Sequence, residues 1–259
     1  MDLEPAPAAR RPPAPPLPLA LGPAHTRRTP GRNAVHSAED RLVRVLGAPG
    51  RAWARQALRP LDALPGGQGA QYAATLGSAL ARGSSGAARR TGVSRKTVAA
   101  RCARAGLLLD LDLDDLRDRA LLDLALRLAR GPARRALPGP APRLAELLRS
   151  QQARAWAMDL LRPLVDDAGP LLTTVRAWIG CGGRVQDCAE LIGRHPNTVR
   201  NHLSSCEELL GRRLMGRGGG AHVLVTALGI LGGGEGPAGQ EAAPEGPTAD
   251  CGRISWYRM

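Results

Sequence analysis

The stretch GRHPNTVRNHLSSCEELLGRRL, residues 193–214, decides the fold of this chain. Apolar residues recur in it at spacings of four, three and four, at Val199, Leu203, Cys206 and Leu210. This spacing places them in one stripe along a helix. Pro196 stands at the expected first helical position, where a missing N–H costs nothing, and Gly193 supplies a turn before it. Because residues 185–192 are also helical in pattern, the sequence predicts two helices joined by a tight turn.

A second stretch, GVSRKTVAARCARAGLLLDLDL at residues 92–113, repeats the pattern. Its apolar stripe occupies the same columns, at Val98, Cys102, Ala105 and Leu109. Gly92 is expected to form the turn and Ser94 to cap the helix that follows. Further upstream, RAWARQALRPL (51–61) and RAWAMDLLRPL (154–164) are identical at eight of eleven positions, including the tryptophan. The chain therefore contains a duplicated helical unit with a helix-turn-helix in each copy.

The predicted fold class is all-α, because no strand-like alternation of useful length occurs. Two tandem helix-turn-helix modules are expected between a disordered N-terminal arm and a flexible C-terminal tail, both of which lack an apolar period. The predicted segments are a Pro/Ala/Arg arm at 1–38, a first module at 39–131, a linker at 132–142, a second module at 143–231 and a tail at 232–259.

The charge balance points to an acidic partner. The 259 residues carry a formal net charge of +13, which favours double-stranded DNA, with an anionic membrane surface as the less usual alternative. Aromatic residues usually help to anchor a protein at a membrane surface, and they make up only 2% of this chain. No apolar run approaches the roughly 20 residues that span a bilayer, and no signal-peptide core is recognisable. A cytoplasmic protein without membrane contact is therefore expected.

The sequence offers no basis for catalysis. It contains no P-loop, no GxSxG, no HExxH and no paired acid–base constellation, so the chain is not expected to be an enzyme. The five cysteines are odd in number and lack CxxC spacing, which argues against a disulfide framework or a zinc site. Cys102 and Cys206 are expected to be small core residues, and no cofactor or metal is predicted.

The residues expected to contact DNA lie on the second helix of each motif. Such a helix can enter the major groove and offer donors and acceptors to base edges. The candidates are Ser94, Arg95, Lys96, Thr97 and Arg101 in the first copy, and His195, Asn197, Thr198, Arg200 and Asn201 in the second. Both threonines are expected to reach phosphates. Residues 82–104 hold seven basic side chains and no acidic one, which predicts a basic face on the first copy.

The runs at 193–214 and 92–113, with DRALLDLALRLA at 118–129, resemble the C-terminal helix-turn-helix domain of PucR-type and CdaR-type transcriptional regulators. The second copy is similar to that family's Gly-x-His-x-Asn-Thr-Val-Arg run followed by Glu-x-Leu-Leu-Gly. The first copy departs at Gly106, where the pattern has Glu, and at Asp110, where it has Gly. Gly106 favours an earlier end for its helix. The resemblance implies a DNA-binding transcription regulator whose domain is present as a tandem duplication.

A second function is also compatible with these residues. The chain could be an interaction module that docks on another regulator or on RNA polymerase, with one or both motifs no longer reading DNA. The mixed charge of the second copy favours this alternative, because its arginines are offset by Asp187, Glu190, Glu207 and Glu208. Salt-dependent binding to duplex DNA separates the two functions, since phosphate contacts release counterions. The sequence leaves the oligomeric state open, including a homo-oligomer.

Overall fold

A computed structural model of the chain describes residues 32–131, 142–167, 169–216 and 219–232. The described residues form helices and loops with no strand among them, so the predicted all-α class is confirmed. The helices are α1 (Arg32–Asp62), α2 (Gln68–Thr91), α3 (Arg95–Leu109), α4 (Leu116–Ala129), α5 (Leu144–Leu148), α6 (Gln151–Val165), α7 (Leu171–Gly180), α8 (Val185–Leu191), α9 (Pro196–Leu210) and α10 (Gly220–Gly232), with a 3₁₀ helix at Pro65–Gly67. No helix in the described part of the chain is long and apolar enough to cross a membrane.

The predicted arm, linker and tail fall almost entirely outside the described residues, which omit 1–31, 132–141 and 233–259. One boundary differs from the prediction. Helix α1 begins at Arg32, so residues 32–38, which were expected to end the arm, belong to this helix.

Two glycines break the long helices. Gly47 interrupts α1 (φ 52°, ψ −139°) and Gly83 interrupts α2 (φ 68°, ψ 174°). Both lie in a backbone region that residues with a Cβ rarely adopt. The break at Gly83 separates residues 68–82 from the short segment 84–91, and these two segments correspond to α7 and α8 of the second copy. Each copy therefore contains a three-helix unit that ends in α3 or α9.

The last helix of each copy joins the two copies together. Helix α4 packs on α1, α10 packs on α6, and α4 and α10 pack on each other. Leu122 and Leu128 of α4 and Leu224 of α10 are at most 1% exposed and belong to a core with residues from both copies. Trp156 of α6 adds a second link, because its Nε1 donates a hydrogen bond to the carbonyl oxygen of Ala38 in α1 at 2.8 Å. The two copies thus share one hydrophobic core.

A buried charge cluster, formed by Glu39, Asp123, Arg127 and His222, lies where α1, α4 and α10 meet. Arg127 contacts Oε2 of Glu39 through Nη1 at 2.6 Å and Oδ2 of Asp123 through Nε at 2.8 Å. Nδ1 of His222 lies 3.6 Å from the same Asp123 oxygen. Burial alone raises the pKa of Asp123, but the neighbouring His222 imidazole and the charge of Arg127 outweigh it and hold this pKa below its ordinary value. The cluster thus brings polar side chains of three helices together.

Asp123→Asn is expected to lower the free energy of unfolding by about 3 kcal/mol, because it removes one charge from a buried ion pair. The sign of the pH dependence follows from the lowered pKa. Ionised Asp123 stabilises the fold above its unfolded pKa of about 3.9, and this contribution is lost as pH falls through the folded value. Urea denaturation from neutral pH down to about pH 3 should therefore show a shallower acid-induced loss of stability for the variant than for the parent.

Asp159→Asn is the matched control. Asp159 is an exposed carboxylate paired with Arg41 and Arg162, and its replacement is expected to cost less than about 1 kcal/mol. Equal losses of stability for the two variants would show that the buried cluster contributes no more than a surface ion pair.

The shared core also predicts that neither copy folds alone. A fragment of residues 32–131 exposes the face of α4 that packs on α10. A fragment of residues 142–232 exposes the face of α10 that packs on α4. The full chain is expected to unfold in one cooperative transition, whereas each fragment should lack one. Circular dichroism during thermal unfolding measures this. If both fragments unfold in sharp transitions at the melting temperature of the full chain, the two copies do not depend on a shared core.

Candidate nucleic-acid interface

The first helix-turn-helix consists of the end of α2, a glycine turn and α3. Gly92 follows α2 with φ 70°, and its N–H donates a hydrogen bond to the carbonyl oxygen of Ala88 at 3.0 Å. Ser94 then caps α3, since its Oγ accepts the N–H of Thr97 at 3.0 Å. The predicted turn and cap are confirmed. Because the cap satisfies a backbone donor at the helix start, it fixes where the first turn of α3 begins.

The second helix-turn-helix has the same backbone arrangement with a different capping residue. Gly193 forms the turn with φ 63°. Nδ1 of His195 accepts the N–H of Asn197 at 3.2 Å and so takes the capping role of a serine. Pro196 occupies the first helical position, as the sequence predicted. Helices α3 and α9, which follow the two turns, are called the recognition helices below.

The beginnings of both recognition helices expose polar side chains. Arg95 and Lys96 are exposed on α3, and Asn197, Arg200 and Asn201 are exposed on α9. Nη1 of Arg200 donates a hydrogen bond to Oδ1 of Asn197 at 2.8 Å, so these two side chains are held side by side. Donors and acceptors at the start of an exposed helix are suited to contact base edges.

The side chains of four other predicted residues are less available for contact with DNA. Ser94 and His195 are exposed, but their side chains already accept the capping hydrogen bonds. Thr97 and Thr198 are half-buried beside the turns, and the hydroxyl of Thr97 lies 2.9 Å from Oγ of Ser94. These four residues therefore shape the start of each recognition helix.

Arg101 was expected to contact DNA, and the structure gives it contacts inside the protein. Its Nη1 donates to Oγ1 of Thr75 at 2.9 Å and its Nη2 to Oε1 of Gln71 at 3.3 Å. The guanidinium also lies 5.8 Å from the ring centre of Tyr72, where a cation–π attraction operates. Arg101 thus ties α3 to the first segment of α2.

The second copy has the same tie with different residues. His202 stands at the position of Arg101, and its Nδ1 lies 2.9 Å from Oγ1 of Thr174, the counterpart of Thr75. Neither threonine was predicted from the sequence to hold the recognition helix. Both copies have a threonine at this position, which is the one sequence feature that could have indicated the contact. A short polar residue within a helix does not by itself show which distant side chain it will contact.

The two recognition helices have equal lengths of 15 residues, so the expectation that Gly106 ends α3 early is wrong. Asp110 adopts the left-handed conformation (φ 52°, ψ 48°) that Gly211 adopts after α9 (φ 60°, ψ 33°). The N–H of Leu111 donates to the carbonyl oxygen of Gly106 at 2.9 Å. A Cβ at Gly106 would lie 2.9 Å from the oxygen of Leu111, so the glycine makes room for the loop that folds over the helix end.

The opposite side of α9 faces the core. Val199, Leu203 and Cys206 are fully buried. Burial raises the pKa of the Cys206 thiol to about 11, so it stays protonated at neutral pH. Cys206 is therefore the core residue that was predicted, while Cys102 is half-buried. In the described ranges, no three His, Cys, Asp or Glu side chains come together in a way that could hold a metal ion.

These features define the class: each copy is a helix-turn-helix domain of the type found in DNA-binding regulators. Residues 72–128 and 171–228 each match the model of the PucR C-terminal helix-turn-helix domain, so the chain carries two tandem copies of that family's domain. This agrees with the resemblance of both copies in sequence.

Curated relatives match over a short part of the chain. An uncharacterized protein of Mycobacterium bovis and uncharacterized proteins of two strains of Mycobacterium tuberculosis are each 41% identical over 54 residues. The match covers 21% of this chain and 13% of the length of those relatives. No protein of solved structure shows significant similarity to this chain.

The tie between the recognition helix and α2 can be tested with Arg101. Arg101→Ala is expected to lower the free energy of unfolding by about 1 kcal/mol, since it removes hydrogen bonds to two side chains. Arg101→His, which installs the residue of the second copy, is expected to recover part of that loss through Thr75. Urea denaturation measures both. If the alanine variant is as stable as the parent, the Arg101 contacts do not hold α3.

Proposed function

We propose that this chain is a sequence-specific DNA-binding transcription regulator that places both recognition helices in the major groove. The observation that carries the proposal is the pair of matching helix starts, each fixed by a glycine turn and a cap, with polar side chains exposed. The net charge of +13 adds attraction to the phosphate backbone. The family of both domains points the same way.

The proposed binding site on DNA is bipartite with unlike halves. Helix α3 begins with Arg95 and Lys96, whereas α9 offers Asn197, Arg200 and Asn201. Arginine and lysine either pair with guanine or contact phosphates, whereas asparagine pairs with adenine. Since the two helices belong to one chain with a shared core, one monomer presents both. A palindrome with identical halves would instead require a dimer that uses the same motif twice.

Docking on another regulator or on RNA polymerase is the second candidate function. A cleft of about 1280 Å³ between the two copies favours it, lined in part by Leu107, Asp112, Trp178 and Val185. Leu107 is 85% exposed, which is unusual for a large apolar side chain. A chain that serves only this function should show no salt-dependent affinity for duplex DNA.

Selection of bound duplexes from a random pool, followed by affinity measurements at several salt concentrations, tests the proposed function. Asn197→Ala is expected to weaken binding to the selected sequence by about 1–3 kcal/mol, the worth of a good base contact. Gln152→Ala, which removes an exposed amide from α6, is the matched control and should bind like the parent. A parent protein that enriches no sequence and binds DNA without salt dependence would contradict the proposal.

A further inference from the structure

We infer that the two recognition helices have different roles: α9 reads the bases, whereas α3 and the helix end before it hold the phosphate backbone. This inference rests on the proposed function and assigns specificity within it. The two copies share a backbone arrangement but differ in the side chains that they expose on it.

The register between the recognition helices is fixed by their buried residues. Val98 of α3 and Val199 of α9 are both 0% exposed, and each follows the capping residue of its helix, Ser94 or His195, by the same number of residues. Because helices with equal starts and equal lengths present equivalent faces, residues 99, 100 and 103 correspond to residues 200, 201 and 204. All six of these positions are exposed.

The two exposed faces differ in chemistry. On α9 the three positions are Arg200, Asn201 and Ser204, each of which offers hydrogen-bonding groups. On α3 they are all alanine. An alanine methyl can touch a thymine methyl, but it cannot recognise a pattern of donors and acceptors. At these three positions α3 therefore lacks the groups that discriminate base pairs.

Arg101 does not supply the base-reading groups that α3 lacks. Its guanidinium is engaged by Thr75, Gln71 and Tyr72 inside the three-helix unit, and this is the position where the second copy also has an internal contact. The equivalence of Arg101 and His202 indicates that the position holds the recognition helix in place in both copies.

The polar groups that remain on the first copy are long cations. Arg95, Lys96 and Arg104 are exposed on α3, and Arg89 and Arg90 are exposed at the end of α2. Residues 82–104 contain no carboxylate, so nothing in this segment offsets them. In the second copy, by contrast, α8 carries Asp187 and Glu190. Flexible cations at a helix start and on the preceding helix end are suited to phosphate contacts, which position a protein on DNA without reading its sequence.

The inference predicts a bound DNA site in which one half is strongly conserved among selected sequences and the other half is nearly free. It also predicts that substitutions in the two helices separate along two readouts. The first readout is the ratio of affinities for the selected duplex and for an unrelated duplex. The second is the slope of the logarithm of affinity against the logarithm of salt concentration.

Asn201→Ala and Lys96→Ala, measured in the full chain, form the decisive pair. Asn201→Ala should lower affinity for the selected duplex about 5-fold to 150-fold, leave the unrelated duplex unaffected and keep the salt slope, because no charge is lost. Lys96→Ala should lower both affinities by the same factor and reduce the salt slope by about 0.9, the effect of one lost phosphate contact. Arg149→Ala, an exposed arginine between α5 and α6, controls for loss of net charge alone.

Ala100→Asn supplies a gain-of-function arm, since it gives α3 the residue that α9 has at Asn201. Selection with this variant should enrich a base in the half-site that the parent leaves free. Thermal melts confirm that each variant is folded, which is expected because all substituted positions are exposed.

The inference is overturned if Lys96→Ala lowers the specificity ratio, if Asn201→Ala leaves it unchanged, or if both halves of the parent's site are equally conserved. Failure of the proposed function looks different. In that case the parent itself binds no duplex with salt dependence, and no variant in either helix changes the result.

Discussion

The packing of α4 against α10 is the contact on which the rest of the structure depends. Each of these helices completes one copy of the repeat, and each buries part of its apolar surface on the other copy. Beside this junction Arg127 joins carboxylates of α1 and α4, and His222 of α10 lies 3.6 Å from one of them. Buried charges of this kind are costly unless they are paired, so the cluster tolerates little displacement of the three helices.

This junction has a direct consequence for DNA recognition. A flexible linker between two modules would let each find its own groove, whereas a shared core fixes the two recognition helices relative to each other. The proposed binding site on DNA then has a set spacing between its halves, and no part of the binding energy is spent on ordering the two modules. The same rigidity lets one copy orient the protein through phosphates while the other contacts bases.

The duplicated units show which positions the fold constrains and which it leaves free. The turn glycines, the buried valines and the lengths of the recognition helices are the same in both copies. The link to the first helix is kept as a contact while its residues change, with Arg101 in one copy and His202 in the other. The exposed face of the recognition helix differs in chemistry, since neither packing nor backbone geometry restricts it. The two copies therefore differ on the surface proposed to contact DNA.

The sequence by itself determined the helical fold class, the duplication, the glycine turns, the cap at Ser94 and the helix start at Pro196. These features depend on local periodicity and on backbone preferences of single residues. It also placed Arg95, Lys96, Asn197, Arg200 and Asn201 on exposed helix starts. Tertiary structure alone decided the internal contacts of Arg101, the buried charge cluster and the joining of the two copies through α4 and α10. These features bring together residues far apart in the chain, and no local pattern records which distant partner a charged or apolar side chain meets.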